Sequence, residues 1–443
     1  MTRHRWRFLA LLALLLAALV AGCGGDDDDD DEGGAGTTTE AAEDVSGSVS
    51  IAGIWIGEEQ ASFRAVIDGF REQYPDVEVK YNAAGDNLPT VLSTAVEGGN
   101  PPDLAAIAQP GLMQDFVTRG ALKPLDFARE AAVENFGESV VETGSVDGQF
   151  YGLFWKANNK STIWYNVNVF EDALGADAEA PETWAELVET AQTIKASGIP
   201  AFSVAGADGW TLTDLFENIY LRTAGPEKYD QLARHEIKWT DASVKEALRE
   251  MAKILKDGEN IAGGTSGALQ TDFETAVGNV FSKNPKAAMI IEGDFVPGVP
   301  KVKLKPKQDY DFFAFPSLGG SGPAAVGSGN LVVAFNDTPA VQAFINYLTT
   351  PESAEIWVKR GGFVSPNKNL DASAYGDALL RETSTTLTEA ETFRFDLSDL
   401  APSAFGATVG QGMWKLLQDF LRNPGNVDGI ARQLETAAAR AYK

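Results

Sequence analysis

The segment Asp147–Phe170, DGQFYGLFWKANNKSTIWYNVNVF, decides how the rest of the chain is read. It has no helical period. Phe150, Leu153, Trp155, Ile163, Trp164 and Tyr165 are interleaved with Lys156, Asn158, Asn159 and Lys160. This predicts two short strands, about Phe150–Trp155 and Thr162–Asn166, with a polar turn between them. Aromatic rings beside amides and a lysine offer flat apolar faces next to fixed donors and acceptors, as a sugar-sized polar ligand needs. The same residues would also make a buried hairpin with wet edges, because aromatics enter cores readily.

Upstream, strand and helix alternate. Val49 and Ile51 begin a strand that ends near Trp55, and Phe63, Val66, Ile67, Phe70 and Tyr74 follow at helical spacing before Pro75. Val77, Val79 and Tyr81 form a second strand, Leu88–Val96 a helix, Leu104–Ile107 a third strand and Leu112–Val117 another helix. This alternation predicts an α/β domain with a mostly parallel sheet, whose ligands sit at the carboxyl ends of its strands. Trp55, Glu58, Glu59, Asn82, Asp86 and Gln109 fall on that rim.

Downstream the chain is more helical. Thr183-Trp184-Ala185-Glu186 is a capping box, and Asp241 caps a helix carrying Val244, Leu248, Met251 and Leu255. Ile199–Val204 and Ala287–Ile291 read as strands, the second ending in Glu292-Gly293-Asp294-Phe295. Glycines cluster between Gly319 and Gly329 and again at Gly361-Gly362, as hinge-like breaks. Pro339 and Pro351 each open a helix, and two amphipathic helices close the chain.

The 443 residues exceed one ordinary core, so two domains are expected. Arg3, Arg5 and Arg7 precede the apolar run Phe8–Val20, which is short for a membrane span and reads as a signal peptide, residues 1–22. Val20-Ala21-Gly22-Cys23 resembles a bacterial lipobox, which would leave the only cysteine, Cys23, lipidated at the mature N-terminus. Residues 23–46 are mostly Gly, Asp, Thr, Glu and Ala, with no large apolar side chain, and form a solvated tether. Of 63 acids and 36 bases, ten acids and three arginines precede Val45, so the remainder carries 53 acids against 33 bases. Such an acidic body is a poor surface for nucleic acid.

With Cys23 acylated and His4 in the leader, His235 is the only histidine left. A cysteine nucleophile and a His/Cys zinc site are therefore excluded, and a Ser-His-Asp triad would have to use His235, which reads as an exposed helix-end residue. No phosphate loop or dinucleotide fingerprint is present. No metal and no cofactor are expected. Two carboxylates could serve a glycosidase, but nothing singles out a pair. Trp55, Trp155, Trp210 and Trp414 stand outside helix-core patterns, where a ring can stack on the C–H face of a pyranose as well as pack in a core.

From Ser48 to Lys443 the chain resembles the extracytoplasmic solute-binding lipoproteins of carbohydrate ABC transporters, the maltose-binding-protein-like family. The resemblance is carried by Gly98-Gly99-Asn100-Pro101-Pro102-Asp103, Gly120-Ala121-Leu122-Lys123-Pro124-Leu125, Tyr151-Gly152-Leu153 and Trp164-Tyr165-Asn166. It continues in Pro181-Glu182-Thr183-Trp184, Glu292-Gly293-Asp294-Phe295 and Gly362-Phe363-Val364-Ser365-Pro366-Asn367-Lys368. Trp210–Tyr229 and Thr392-Phe393-Arg394-Phe395-Asp396 are most similar to the alpha-glucoside-binding branch.

The resemblance implies a two-lobed α/β periplasmic-binding-protein fold of type II, with a ligand cleft between the lobes. The expected N-lobe is 47–154 with 327–362 and the C-lobe 155–326 with 363–443. Three crossings would lie near Leu153–Lys156, Ala325–Gly329 and Gly361–Ser365. It implies a monomer that binds an oligosaccharide, performs no covalent chemistry, and docks on the permease subunits of an ABC importer. The protein would be lipid-anchored through Cys23 at the extracytoplasmic face of the bacterial membrane. By position, the binding residues would be Trp55, Glu58, Glu59, Asp86, Gln109, Trp155, Lys156, Asn159, Trp210, Asp214, Glu292, Asp294, Ser328, Phe363 and Trp414. The alternatives are a lipoprotein glycosidase using two cleft acids, or a binding protein of the same fold for a non-sugar solute.

Overall fold

The computed structural model describes residues 45–300, 304–388 and 390–443. The leader and Cys23 lie outside the described residues. Among the described residues no helix is long and apolar enough to cross a membrane.

Strand β1 (Gly47–Gly53) pairs in parallel with β2 (Val77–Ala83), Val49 opposite Val79, and on its other side with β3 (Leu104–Ile107). All four residues of β3 are buried, as in a parallel strand covered on both faces. Helix α1 (Gly57–Gln73) buries Phe63, Val66, Ile67 and Phe70, one stripe at helical spacing. Helices α2 (Leu88–Glu97) and α3 (Pro110–Thr118) bury Leu92 and Phe116 in the packing on the opposite face of the sheet.

The segment 147–170 forms strands β4 (Gly152–Asn159) and β5 (Thr162–Asn166), but they do not pair with each other. β5 is the centre of a second, antiparallel sheet between β6 (Met289–Ile291) and β7 (Tyr310–Ala314). β4 pairs antiparallel with β8 (Ala324–Ala334), which also pairs with β3 and, at its start, with β9 (Thr392–Phe395). The polar pair Lys160-Ser161 carries the chain from one sheet to the other, so the stretch is a junction and not a hairpin.

Two bodies of core result. Val49, Phe63, Phe70, Trp155, Phe344 and Trp357 pack on one face of the first sheet. Ile163, Phe202, Phe216, Trp239, Leu248 and Leu417 pack in the second body. β8 runs from one into the other, with Val326 in the second core and Leu331–Ala334 in the first. Phe363, Tyr375 and Leu380 pack in the first core, and Leu379 in a separate cluster with Trp164 and Phe312. Phe363 is held by Trp155 and Trp357 at ring distances of 4.8 and 5.0 Å.

Several local signals act as read. Thr183 and Glu186 form the full capping box, and Asp241 accepts from the Ser243 N–H. The strand expected at Ile199–Val204 reduces to bridges at Phe202 with Ile261 and Met289, since Pro200 cannot donate to a ladder. His235 is only partly exposed: its Nε2 lies 3.3 Å from Glu435 and its ring faces Tyr442 at 5.1 Å, because the C-terminal helix folds over it.

Candidate functional site

A cavity of about 510 Å³ lies between the two cores. Its first wall comes from the carboxyl ends of the parallel strands: Ile54, Trp55 and Ile56 after β1, Gly85, Asp86 and Asn87 after β2, and Gln109 after β3. Glu58 and Glu59 from the first turn of α1 join them. The opposite wall is built at helix N-termini. Asp208 and Trp210 begin α4 (Trp210–Ala224), while Asp272, Phe273 and Glu274 begin α5 (Phe273–Phe281). Phe295, Asp399 and Trp414 complete it, Trp414 from α6 (Gly412–Arg422). The floor is the β4–β8 pair, through Lys156, Asn158, Lys160, Ser328 and Asn330.

Strand alternation explains the floor. Successive side chains point to opposite faces, so Lys156, Asn158 and Lys160 share the cavity side while Leu153 and Trp155 share the core side. Trp155 is fully buried among Trp55, Phe63, Trp357 and Phe363 and does not reach the cavity. Phe363 belongs to the same cluster. Trp55 is shared: it is almost wholly buried, yet borders the cavity and donates from Nε1 to Asn330 Oδ1 at 3.3 Å.

Of the expected residues, nine come together on the cavity wall: Trp55, Glu58, Glu59, Asp86, Gln109, Lys156, Trp210, Ser328 and Trp414. The other six are set back. Trp155 and Phe363 are core. Asn159 and Asp294 clamp β4 to the loop after β6: the Asn159 N–H donates to Asp294 Oδ2 at 2.8 Å and the Asp294 N–H to the Asn159 carbonyl at 3.0 Å. Asp214 lies one helical turn beyond Trp210 and accepts from Lys160 Nζ at 2.9 Å. Glu292 is buried, and neither carboxyl oxygen has a partner among the described residues. Its carboxyl is raised well above the usual range, first by burial and then by the charge of Asp214.

Sequence reasoning missed Asn158, Lys160, Asn330, Asp208, Asp272, Phe273, Glu274, Phe295 and Asp399. The first three were legible from strand parity, since Lys156 in the site requires Asn158 and not Asn159. Asp208 stands two residues before Trp210. Nothing local marks Asp272–Glu274, which the fold brings across to the first wall: Glu274 Oε1 lies against Gly57, where an added Cβ would be 2.2 Å from it.

Both cavity lysines are already engaged. Lys156 pairs with Glu59 and lies 5.7 Å above Phe295 and 5.2 Å above Trp357. Lys160 Nζ donates to the carboxylates of Asp214 and Asp396, the latter at 2.5 Å, and lies 5.6 Å above Trp210. Burial lowers the affinity of Lys160 for its proton, but these carboxylates outweigh it and hold the ammonium charged. Burial pushes the Asp86 carboxyl up to about 7, the charge of Asp208 adds to this, and a hydrogen bond with Trp210 opposes it. Burial likewise lifts Asp208 to about 6, against the hydrogen bond from the Phe273 N–H at 2.6 Å. Trp210, Phe273 and Phe295 form a ring cluster with centroids 5.2 to 6.1 Å apart. Carboxylates and amides beside exposed ring edges suit a polyhydroxylated solute: the oxygens accept from hydroxyls and the rings cover C–H faces. Among the described residues no group of His, Cys, Asp and Glu has the arrangement to hold a metal ion.

Residues 55–355 match the model of the family described as bacterial extracellular solute-binding protein. The chain belongs to that family. This solute-binding protein is 33% identical over 405 residues to the alpha-glucosides-binding periplasmic protein AglE of Rhizobium meliloti, covering 88% of this chain and 86% of that one. It is 32% identical over 388 residues to the osmoprotective compounds-binding protein GgtB of Synechocystis, covering 86% and 89%. Its fold is that of solved two-lobed binding proteins. A chitin oligosaccharide binding protein superposes with a TM-score of 0.77 at 22% identity, over 90% of this chain and 99% of the other. RafE in complex with raffinose superposes with a TM-score of 0.72 at 20% identity, over 90% and 100%. The mixed α/β architecture is accordingly the type II periplasmic-binding-protein fold.

Proposed function

We propose that this protein is the substrate-binding component of an ABC sugar importer and that it holds an oligosaccharide, an alpha-glucoside, in the cavity between its lobes. One observation carries the reading: a cavity of about 510 Å³ joins Trp210, Phe273 and Trp414 on one side to Trp55, Asp86 and Gln109 on the other. Its size is that of a small-molecule site, and its polar groups converge on it from both lobes. The similarity to AglE over most of both chains supports the alpha-glucoside class.

Ligand bridging the walls favours the closed arrangement over an open one, and the closed form is what a permease can distinguish. Bound sugar leaves unchanged, because the role of the site is capture. The protein acts as a monomer, tethered by residues 23–46 to lipid on Cys23 at the outer face of the cell membrane. A second reading, an osmoprotective solute, is favoured by the nearly equal similarity to the osmoprotective compounds-binding protein.

Calorimetry and tryptophan fluorescence of the full chain with maltose, trehalose, sucrose, maltodextrins and glycine betaine decide between these. Saturable binding of one sugar, recovered intact, supports the importer reading. Cleaved sugar would point to a glycosidase, and a response to glycine betaine alone would sink the carbohydrate assignment.

A further inference from the structure

A second cavity, of about 230 Å³, lies beside the main one. Glu58, Glu59 and Gly298 border both, so the two chambers adjoin at the first turn of α1. Ser62, one turn further along α1, Trp357 and Arg360 make the rest of the side-chain wall. The remaining boundary is glycine backbone, and at Gly361 an added Cβ would meet nothing within 4 Å. The volume is a little under half that of the main cavity, the proportion of one sugar ring to a disaccharide.

The two chambers differ in their free groups. In the main cavity both lysines are held by carboxylates of the chain itself. Arg360 is exposed, donates from Nε to Ser62 Oγ at 3.0 Å, and joins none of the ion pairs that the described arginines make. Both terminal nitrogens of its guanidinium are therefore uncommitted donors. Of the two acids, Glu59 is engaged by Lys156, while Glu58 is exposed and free to accept. Trp357 is buried with Lys156 Nζ 5.2 Å above its ring, so it serves as a wall and not as a stacking face.

Free donors and a free carboxylate around one space suit groups that both donate and accept, and a hydroxyl does both. An anion in the chamber would face Glu58 and Glu59, and a cation would face Arg360. A neutral polyol satisfies both signs through charge-assisted hydrogen bonds. We propose that this chamber is a further saccharide subsite that holds one neutral sugar ring through Arg360 and Glu58. The preferred ligand is then a trisaccharide or longer, with its disaccharide portion in the main cavity. It crosses between the chambers past Gly298, which has no side chain to block the passage. This deepens the sugar-binding reading and rests on it.

The test is calorimetry on the full chain with maltose, trehalose and sucrose, each beside the trisaccharide made by adding one alpha-linked glucose to it. At least one trisaccharide is expected to bind about tenfold more tightly than its disaccharide. In Arg360→Met that advantage should fall to about twofold or less, and Glu58→Gln should lower it as well. Both side chains are exposed, so a Tm within a few degrees of the parent separates a lost contact from a lost fold. Trisaccharides that bind no more tightly than their disaccharides, or an advantage intact in either variant, overturn the proposal and leave the sugar-binding reading standing. Silence toward every sugar overturns both.

Discussion

Lys160 Nζ stands 2.9 Å from Asp214 Oδ1, at the point where the chain leaves the first sheet for the second. The same ammonium reaches Asp396 and lies 4.0 Å from Asp399, and all four side chains are nearly or fully buried. One cation thus gathers carboxylates from α4 and from the segment after β9. A buried charge cluster of this kind does little for net stability when complete, but removing one partner strands the others. Lys160→Met should destabilise the protein by about 3–5 kcal/mol, measured by urea unfolding. A loss below 1 kcal/mol would mean that Asp214, Asp396 and Asp399 are not held by this lysine.

Trp155 and Trp210 should separate cleanly. Trp155 is fully buried, and Trp155→Ala should cost about 3–5 kcal/mol in unfolding experiments. Trp210 borders the cavity, so Trp210→Ala should raise the Kd for the bound sugar by about tenfold or more with a Tm within a few degrees of the parent. The reverse pattern, affinity lost with Trp155 and stability with Trp210, would move the site.

Asp86, Asp208 and Asp294 are all held above the usual carboxylate range, to about 7, 6 and 7, and burial is the first cause of each. An acid raised in the folded state keeps its proton there after the unfolded chain, with a value near 3.9, has lost it. Its stabilising contribution is full below about pH 4 and is lost as pH rises to about 7. Stability should therefore fall from pH 5 to pH 7.5. The carboxyls pulled down, Asp103, Asp241 and Asp257 among them, titrate below that window. Thermal unfolding across this range should show a shallower slope in Asp86→Asn/Asp208→Asn, and an unchanged slope would exclude this pair as its source.

Gly298 borders the cavity and approaches Gly362 closely: a Cβ added to Gly298 would lie 2.9 Å from Gly362 Cα. Backbone on both sides leaves nothing flexible to yield. Gly298→Ala should weaken sugar binding by about tenfold and raise the radius of gyration of the sugar-bound protein in X-ray scattering. Wild-type affinity and scattering in this variant would show that the contact opens without consequence.

Much of the fold was legible in the chain. The alternation of Val49, Ile51, Val77 and Val79 with the α1 stripe determines a parallel α/β sheet, because period-2 and period-3.6 patterns each bury one face only. Thr183 with Glu186, and the prolines at 339 and 351, mark helix starts by local hydrogen-bonding chemistry that needs no distant partner. The rim residues Trp55, Glu58, Asp86 and Gln109 follow from the strand ends. Tertiary structure alone decided the rest. It separated β4 from β5 into different sheets, since pairing depends on which edge is free and not on the strands themselves. It set Phe363 into the first core through Trp155 and Trp357. It put Asp208 and Asp86 on walls of one cavity and Glu274 against Gly57, placements that join residues more than 100 positions apart. A side chain's local pattern fixes the face it occupies, but what stands opposite that face depends on how the two lobes close on each other.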